Sequence, residues 1–158
     1  MRYIKLLYIV LIASLITGCG DNRIYDNHFD IKNGFWNEKE ELTFDFEIKD
    51  KKPRYNILYN IRYANTYPYY NLYVHYYLMD STGKTFSDHL QRMDLFRPTT
   101  GEPLGKGLGD LYDRRILAIP NFSFPYSGKY KMKVKQYMRQ NQLPGISSFG
   151  LSIETITD

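Results

Sequence analysis

Between Leu42 and Ile48 apolar and polar side chains alternate without a break, with Leu42, Phe44, Phe46 and Ile48 on one side and Thr43, Asp45 and Glu47 on the other. A repeat of two is the period of an extended strand with one face in a core and one in water. Residues 55–63 repeat it, Ile57, Tyr59, Ile61 and Tyr63 alternating with Asn56, Leu58, Asn60 and Arg62. Residues 71–79 are apolar on both sides, Leu72, Val74, Tyr76 and Leu78 opposing Tyr73, His75, Tyr77 and Met79, which predicts a central strand. Asp80-Ser81-Thr82-Gly83-Lys84 reads as a hairpin turn with 85–96 returning antiparallel. Shorter strands are expected within 29–36, with a turn at Asn33-Gly34, and at 115–119, a long alternating one at 130–138 after the Ser127-Gly128 turn, and a closing one at 149–156. The stretch 97–113, rich in Gly and Pro, reads as one long loop. Eight or so short antiparallel strands in one domain predict an all-β fold, a β-sandwich of jelly-roll type.

The chain opens on a different pattern. Arg2 and Lys5 precede an apolar run over 6–16, too short to span a bilayer, which leads into Leu15-Ile16-Thr17-Gly18-Cys19. Small residues followed by cysteine are what a lipoprotein signal needs, because the thiol takes a diacylglyceryl group before the preceding peptide bond is cut. The expected division is a removed signal peptide at 1–18, a lipidated tether at 19–27 beginning at Cys19, and a single domain at 28–158. The rival reading is an ordinary secretory signal with a cysteine there by chance. Each buried acyl methylene contributes about 0.8 kcal/mol, so two or three chains on Cys19 hold a protein on a membrane durably.

Composition adds to this picture in two places. Sixteen tyrosines and nine phenylalanines favour strands, and the single cysteine excludes an internal disulfide, leaving stability to packing. The net charge of +4 falls to +2 once Arg2 and Lys5 leave with the signal, so nucleic acid is not an expected partner.

Candidate chemistry is sparse. Gly101-Glu102-Pro103-Leu104-Gly105-Lys106-Gly107 looks like a phosphate loop, but its glycines are one residue too close and Gly107 stands where a metal-binding hydroxyl belongs. Asp110, Asp113 and Glu102 match no defined calcium loop, and His28, His75 and His89 lack zinc spacing. No metal and no cofactor are expected. Serine in a nucleophile elbow is missing, while the carboxylate pairs Glu41/Glu47 and Asp88/Asp94 need a separation that sequence does not supply; no catalytic residue is assigned. The tyrosine-rich segment 67–77 is the strongest candidate surface, since rings with polar tips suit protein or sugar. Trp36, Tyr69, Tyr73 and Tyr77 would then be exposed, a coplanar row of rings marking a glycan binder. The alternative is that these rings fill a core. Lys106 and Asp110, in the glycine-rich loop, are candidates for partner recognition.

Several segments taken in order resemble the gliding-motility lipoprotein family GldH of Bacteroidota. They are the lipobox at Cys19, Phe44-Asp45-Phe46, Tyr55-Asn56-Ile57, Arg62 followed by Tyr67-Pro68-Tyr69-Tyr70-Asn71-Leu72, Gly105-Lys106-Gly107-Leu108-Gly109-Asp110, Gly128-Lys129-Tyr130, Gln136-Tyr137-Met138-Arg139, Leu143-Pro144-Gly145-Ile146 and Phe149-Gly150-Leu151. One departure is Gln140, where the family leads one to expect an acid. The resemblance implies an envelope lipoprotein on the periplasmic face of the outer membrane, needed in gliding members for a motility machinery linked to type IX secretion. It implies other envelope proteins as partners and transfers only Cys19 as a functional position.

Overall fold

The computed structural model describes residues 22–156; the signal peptide expected at 1–18 and Cys19 lie outside them. Eleven strands make up the described chain: β1 (Arg23–Asp30), β2 (Phe35–Asn37), β3 (Leu42–Ile48), β4 (Tyr55–Ala64), β5 (Asn71–Asp80), β6 (Thr85–Asp94), β7 (Lys106–Leu108), β8 (Leu111–Phe122), β9 (Gly128–Gln136), β10 (Gln142–Pro144) and β11 (Ile146–Thr155). Among the described residues the only helical element is a 3₁₀ turn at Lys32–Gly34. One sheet runs β1-β11-β4-β8-β7 and the other β3-β9-β5-β6, every pairing antiparallel, with a β2-β10 ribbon closing one corner. The pairs β1/β11, β3/β9, β4/β8 and β5/β6 nest within one another and alternate between the sheets. That nesting is the jelly-roll order.

The alternating runs bury the expected side chains, Leu42 to Ile48 on β3 and Ile57 to Tyr63 on β4 facing inward. β5 is central in its sheet, with Leu72, Val74, Tyr76 and Leu78 inside and Tyr73, His75, Tyr77 and Met79 half-buried outside. At mid-height Phe149 packs against Tyr59 at 5.0 Å and Trp36 at 5.2 Å between ring centroids. Buried tyrosine suits this core because the hydroxyls of Tyr55, Tyr59, Tyr63, Tyr67, Tyr76 and Tyr130 each have a carbonyl or side chain to bond. Tyr59 donates to Gln91 Oε1 (2.9 Å), whose amide donates in turn to Ala118 O (2.7 Å), tying β4, β6 and β8 across the sandwich.

Three expectations are corrected. Residues 23–27, read as tether, are part of β1, which pairs with β11 from Arg23↔Glu154 to Asp30↔Ser148; as an edge strand with little burial it shows no apolar alternation. The turn expected at Asn33-Gly34 is present, a 3₁₀ turn in which both residues hold positive φ, but the one strand expected within 29–36 is the end of β1 and β2 on either side of it. The second half of the 97–113 loop is a hairpin of β7 with the start of a twelve-residue β8.

The strand directions give the sandwich two distinct ends. At the near end, where β1 begins, lie segments 49–54, 81–84 and 123–127 and the finish of β11. At the far end lie the 3₁₀ turn, 65–70, 95–105, the β7-β8 turn and the β10 ribbon. About ten residues of β4 separate them, or about 30 Å.

Candidate interaction surfaces

The β7-β8 hairpin stands at the far end on a braced base. Tyr63, wholly buried, donates its hydroxyl to Leu95 O (2.7 Å) and accepts from the Gly105 amide (2.9 Å), and its ring meets Phe96 edge-on at 5.2 Å. Burial pushes the Tyr63 hydroxyl above the ordinary phenol value, so it remains a donor. Arg97, Gly101, Glu102 and Leu104 close the preceding turn through backbone bonds of 2.8–2.9 Å. Of the glycines in this stretch, Gly105 and Gly107 are there for packing. A Cβ on Gly107 would fall 2.0 Å from Leu111 O, and one on Gly105 2.8 Å from Asp113 O. Gly109 holds positive φ in the two-residue turn to Asp110.

This base presents Leu108, between two glycines, 96 % exposed at the hairpin tip, with Leu111 half-exposed beside it. Lys106 and Asp110 are both exposed here. Asp110 accepts from Asn65 Nδ2 (2.8 Å), and Lys106 lines a shallow groove of about 450 Å³ on the outer face of the five-stranded sheet. Three of the groove's five cations are paired, while Lys106 and Arg114 enter none of the ion pairs of the described residues. Arg62 donates twice to Asp113 (2.8 and 3.0 Å), Arg115 pairs with Glu154, and Arg23 with Asp26.

The outer face of the four-stranded sheet carries Tyr73 and Tyr77 with His75 between them. Tyr77 Oη lies 3.1 Å from His75 Nδ1, and His75 Nε2 lies 2.5 Å from Asp88 on β6. Tyr73, Leu90, Tyr137 and Met138 line a depression of about 330 Å³. Trp36 is absent from this surface: it is wholly buried, its indole N–H donating to Glu40 O at 3.3 Å, which corrects its expected place in an exposed ring row. Tyr69 is half-buried against Tyr67 and accepts from Gln140 Nε2 (2.7 Å).

The catalytic and metal readings fare differently from the surfaces. Glu41 and Glu47 are six residues apart along the β3 line, and Asp88 and Asp94 six apart along β6, about 20 Å in each case. Glycosidase carboxyls stand about 5–9.5 Å apart. Among the described residues no group of three or more His, Cys, Asp or Glu is placed to hold a metal, and Glu102, Asp110 and Asp113 have separate partners in Arg97, Asn65 and Arg62.

The GldH lipoprotein family model matches residues 23–153, the span of all eleven strands but the last two residues of β11. The chain belongs to the GldH lipoprotein family. The gliding motility lipoprotein GldH homolog of Christiangramia forsetii is 33 % identical over 147 residues, covering 89 % of this chain and 88 % of that one. The gliding motility lipoprotein GldH of Flavobacterium johnsoniae is 28 % identical over 151 residues, covering 95 % and 89 %. Among solved structures, the infectious bursal disease virus VP2 subviral particle gives a TM-score of 0.39 at 17 % identity over 86 % of this chain and 31 % of that one. A score at that level carries no argument about fold or function.

Sequence reasoning missed Leu108 itself. The signal was present: a lone leucine between two glycines has no side chain on either chain neighbour to cover it.

Proposed function

We propose that this GldH-family chain is a non-enzymatic envelope lipoprotein, anchored through acyl chains on Cys19 to the outer membrane and facing the periplasm, that binds other envelope proteins of a gliding-motility or type IX secretion assembly. The observation that carries the reading is Leu108. An apolar side chain held in water on a hydrogen-bonded hairpin is ordered for contact before any partner arrives, which lowers the conformational cost of binding. Confinement to a membrane raises its effective concentration beside other membrane components, so a small contact suffices.

The test is cross-linked affinity purification of the native protein from outer membranes, beside a Leu108→Asp variant. Recovery of motility or secretion components by the native chain and their loss from the variant is the expected result. An unchanged partner set in the variant would remove the hairpin from the interface, and recovery of the native protein alone would overturn the scaffold reading.

A further inference from the structure

We propose that the near end of the sandwich is a second membrane contact, docked on anionic phospholipid headgroups of the bilayer that holds the acyl chains; this rests on the Cys19 anchor proposed above. Two observations place it there. The first is chain length. Asn22 is stitched to the end of β11: its side-chain amide donates to Thr155 O (2.9 Å), and the Thr155 amide and hydroxyl donate to Asn22 O (2.8 and 3.0 Å). Only Gly20 and Asp21 separate Asn22 from Cys19, a reach of at most about 11 Å. An anchor at Cys19 therefore brings this end to within roughly a Debye length of the headgroups.

The second is charge. Three connections far apart in sequence converge here, carrying Lys49, Lys51, Lys52 and Arg54 after β3, Lys84 in the β5-β6 turn and Lys129 opening β9. All six are exposed, and none lies within 4 Å of a carboxylate of the described residues. The acids nearby are few. Asp50 caps its own turn at the Lys52 amide, Asp80 is buried and bonded, Glu154 at the finish of β11 is paired with Arg23 and Arg115, and Glu47 stands opposite Lys129. Pro125 and Tyr126 are exposed on the same end, and an amphipathic ring suits the headgroup layer. Far-end charges are of both signs, Glu38, Glu40, Glu102 and Asp110 standing among Lys32, Lys39, Arg97, Lys106 and Arg139. With the basic end down, the domain stands upright and Leu108 points away from the bilayer.

The experiment uses the acylated full chain on phosphatidylcholine vesicles with and without phosphatidylglycerol, reading lysine labelling by an amine-reactive reagent in mass spectra. Intact mass is taken first, and a chain without acyl groups on Cys19 would overturn the anchor reading itself. With acylation present, phosphatidylglycerol is expected to slow labelling of Lys49, Lys51, Lys52, Lys84 and Lys129 several-fold, to leave Lys39 and Lys106 unchanged, and to lose its effect at high salt. Equal labelling in both vesicles, or equal protection at Lys39 and Lys106, overturns the docking. In a K49E/K51E/K52E variant, whose exposed substitutions leave the fold intact by its melting curve, Lys84 and Lys129 are expected to lose protection; persistence there overturns it as well.

Discussion

The two ends of this sandwich are held by the same kind of bond and offer opposite chemistry. At the far end a buried hydroxyl, Tyr63, gathers Leu95 and Gly105 and lifts an apolar tip into water. At the near end a buried carboxylate, Asp80, accepts from the Thr82 amide and hydroxyl, the Lys84 amide and the Tyr126 hydroxyl, and so fixes two connections beneath a surface of lysines. A single buried polar side chain thus orders each end, while the residues outside it suit the two proposed partners: leucine for a protein, cations for an anionic surface.

The comparison breaks most completely at the core both ends share. Phe149→Ala empties the space between Tyr59, Trp36 and Phe44 and is expected to cost about 3–5 kcal/mol, read as one lowered unfolding midpoint in urea. Separate transitions for the two ends would show that they do not share a cooperative unit.

Next in size is Tyr63→Phe, which strips two bonds from the far end alone. The Leu95 carbonyl and Gly105 amide lose a buried partner, with an expected loss of about 1–3 kcal/mol and faster amide exchange at Gly105 but not at Thr82 or Lys84. Equal acceleration at both sites would sink the idea that each end has its own brace.

The near end is distinguished by pH. Hydrogen bonds from Thr82 and Tyr126 hold the Asp80 carboxyl down at about 2, so folding favours its charged form. The stabilisation is present above the ordinary value near 3.8 and lost as pH falls from there toward about 2. In the other direction, the Asp80 carboxylate and burial push the Tyr126 phenol up to about 12, so its contribution fades as pH rises from about 10 to 12. Asp80→Asn is expected to melt lower at neutral pH and to show a flatter acid slope between pH 4 and 2 in thermal scans. An acid slope identical to the parent's would assign that sensitivity elsewhere.

Smallest in stability is Leu108→Asp, expected to change unfolding by less than about 0.5 kcal/mol because the side chain touches water on every side, while abolishing partner capture. A large melting shift would mean that Leu108 packs on its own domain.

Elements whose burial is local were legible from the chain. β3, β4 and β5 could be written down from period alone, since β3 and β4 set one apolar face against a mostly polar one and β5, apolar on both, takes the central place that pattern asks for. β1 was not, because an edge strand paired only with β11 keeps most of its side chains in water and has no apolar stripe to show. Nor was β7, whose glycines signal a loop in isolation and become a strand only where Leu111 O and Asp113 O crowd them. Trp36 went astray for a similar reason. Its neighbours Asn37, Glu38 and Lys39 are polar, and only the arrival of Phe149 from the other end of the chain makes its site dry.

By itself, then, the sequence determined the fold class and the inward face of the alternating strands, because period and turn residues are read within a few neighbours. The tertiary structure alone decided which residues meet: that Lys49, Lys84 and Lys129 share an end with Asn22, that Leu108 stands at the other, and that Trp36 is core. Those are long-range facts of an antiparallel jelly roll, in which β1 pairs with a strand more than 100 residues away, and side-chain patterning carries no record of where its neighbour along the sheet comes from.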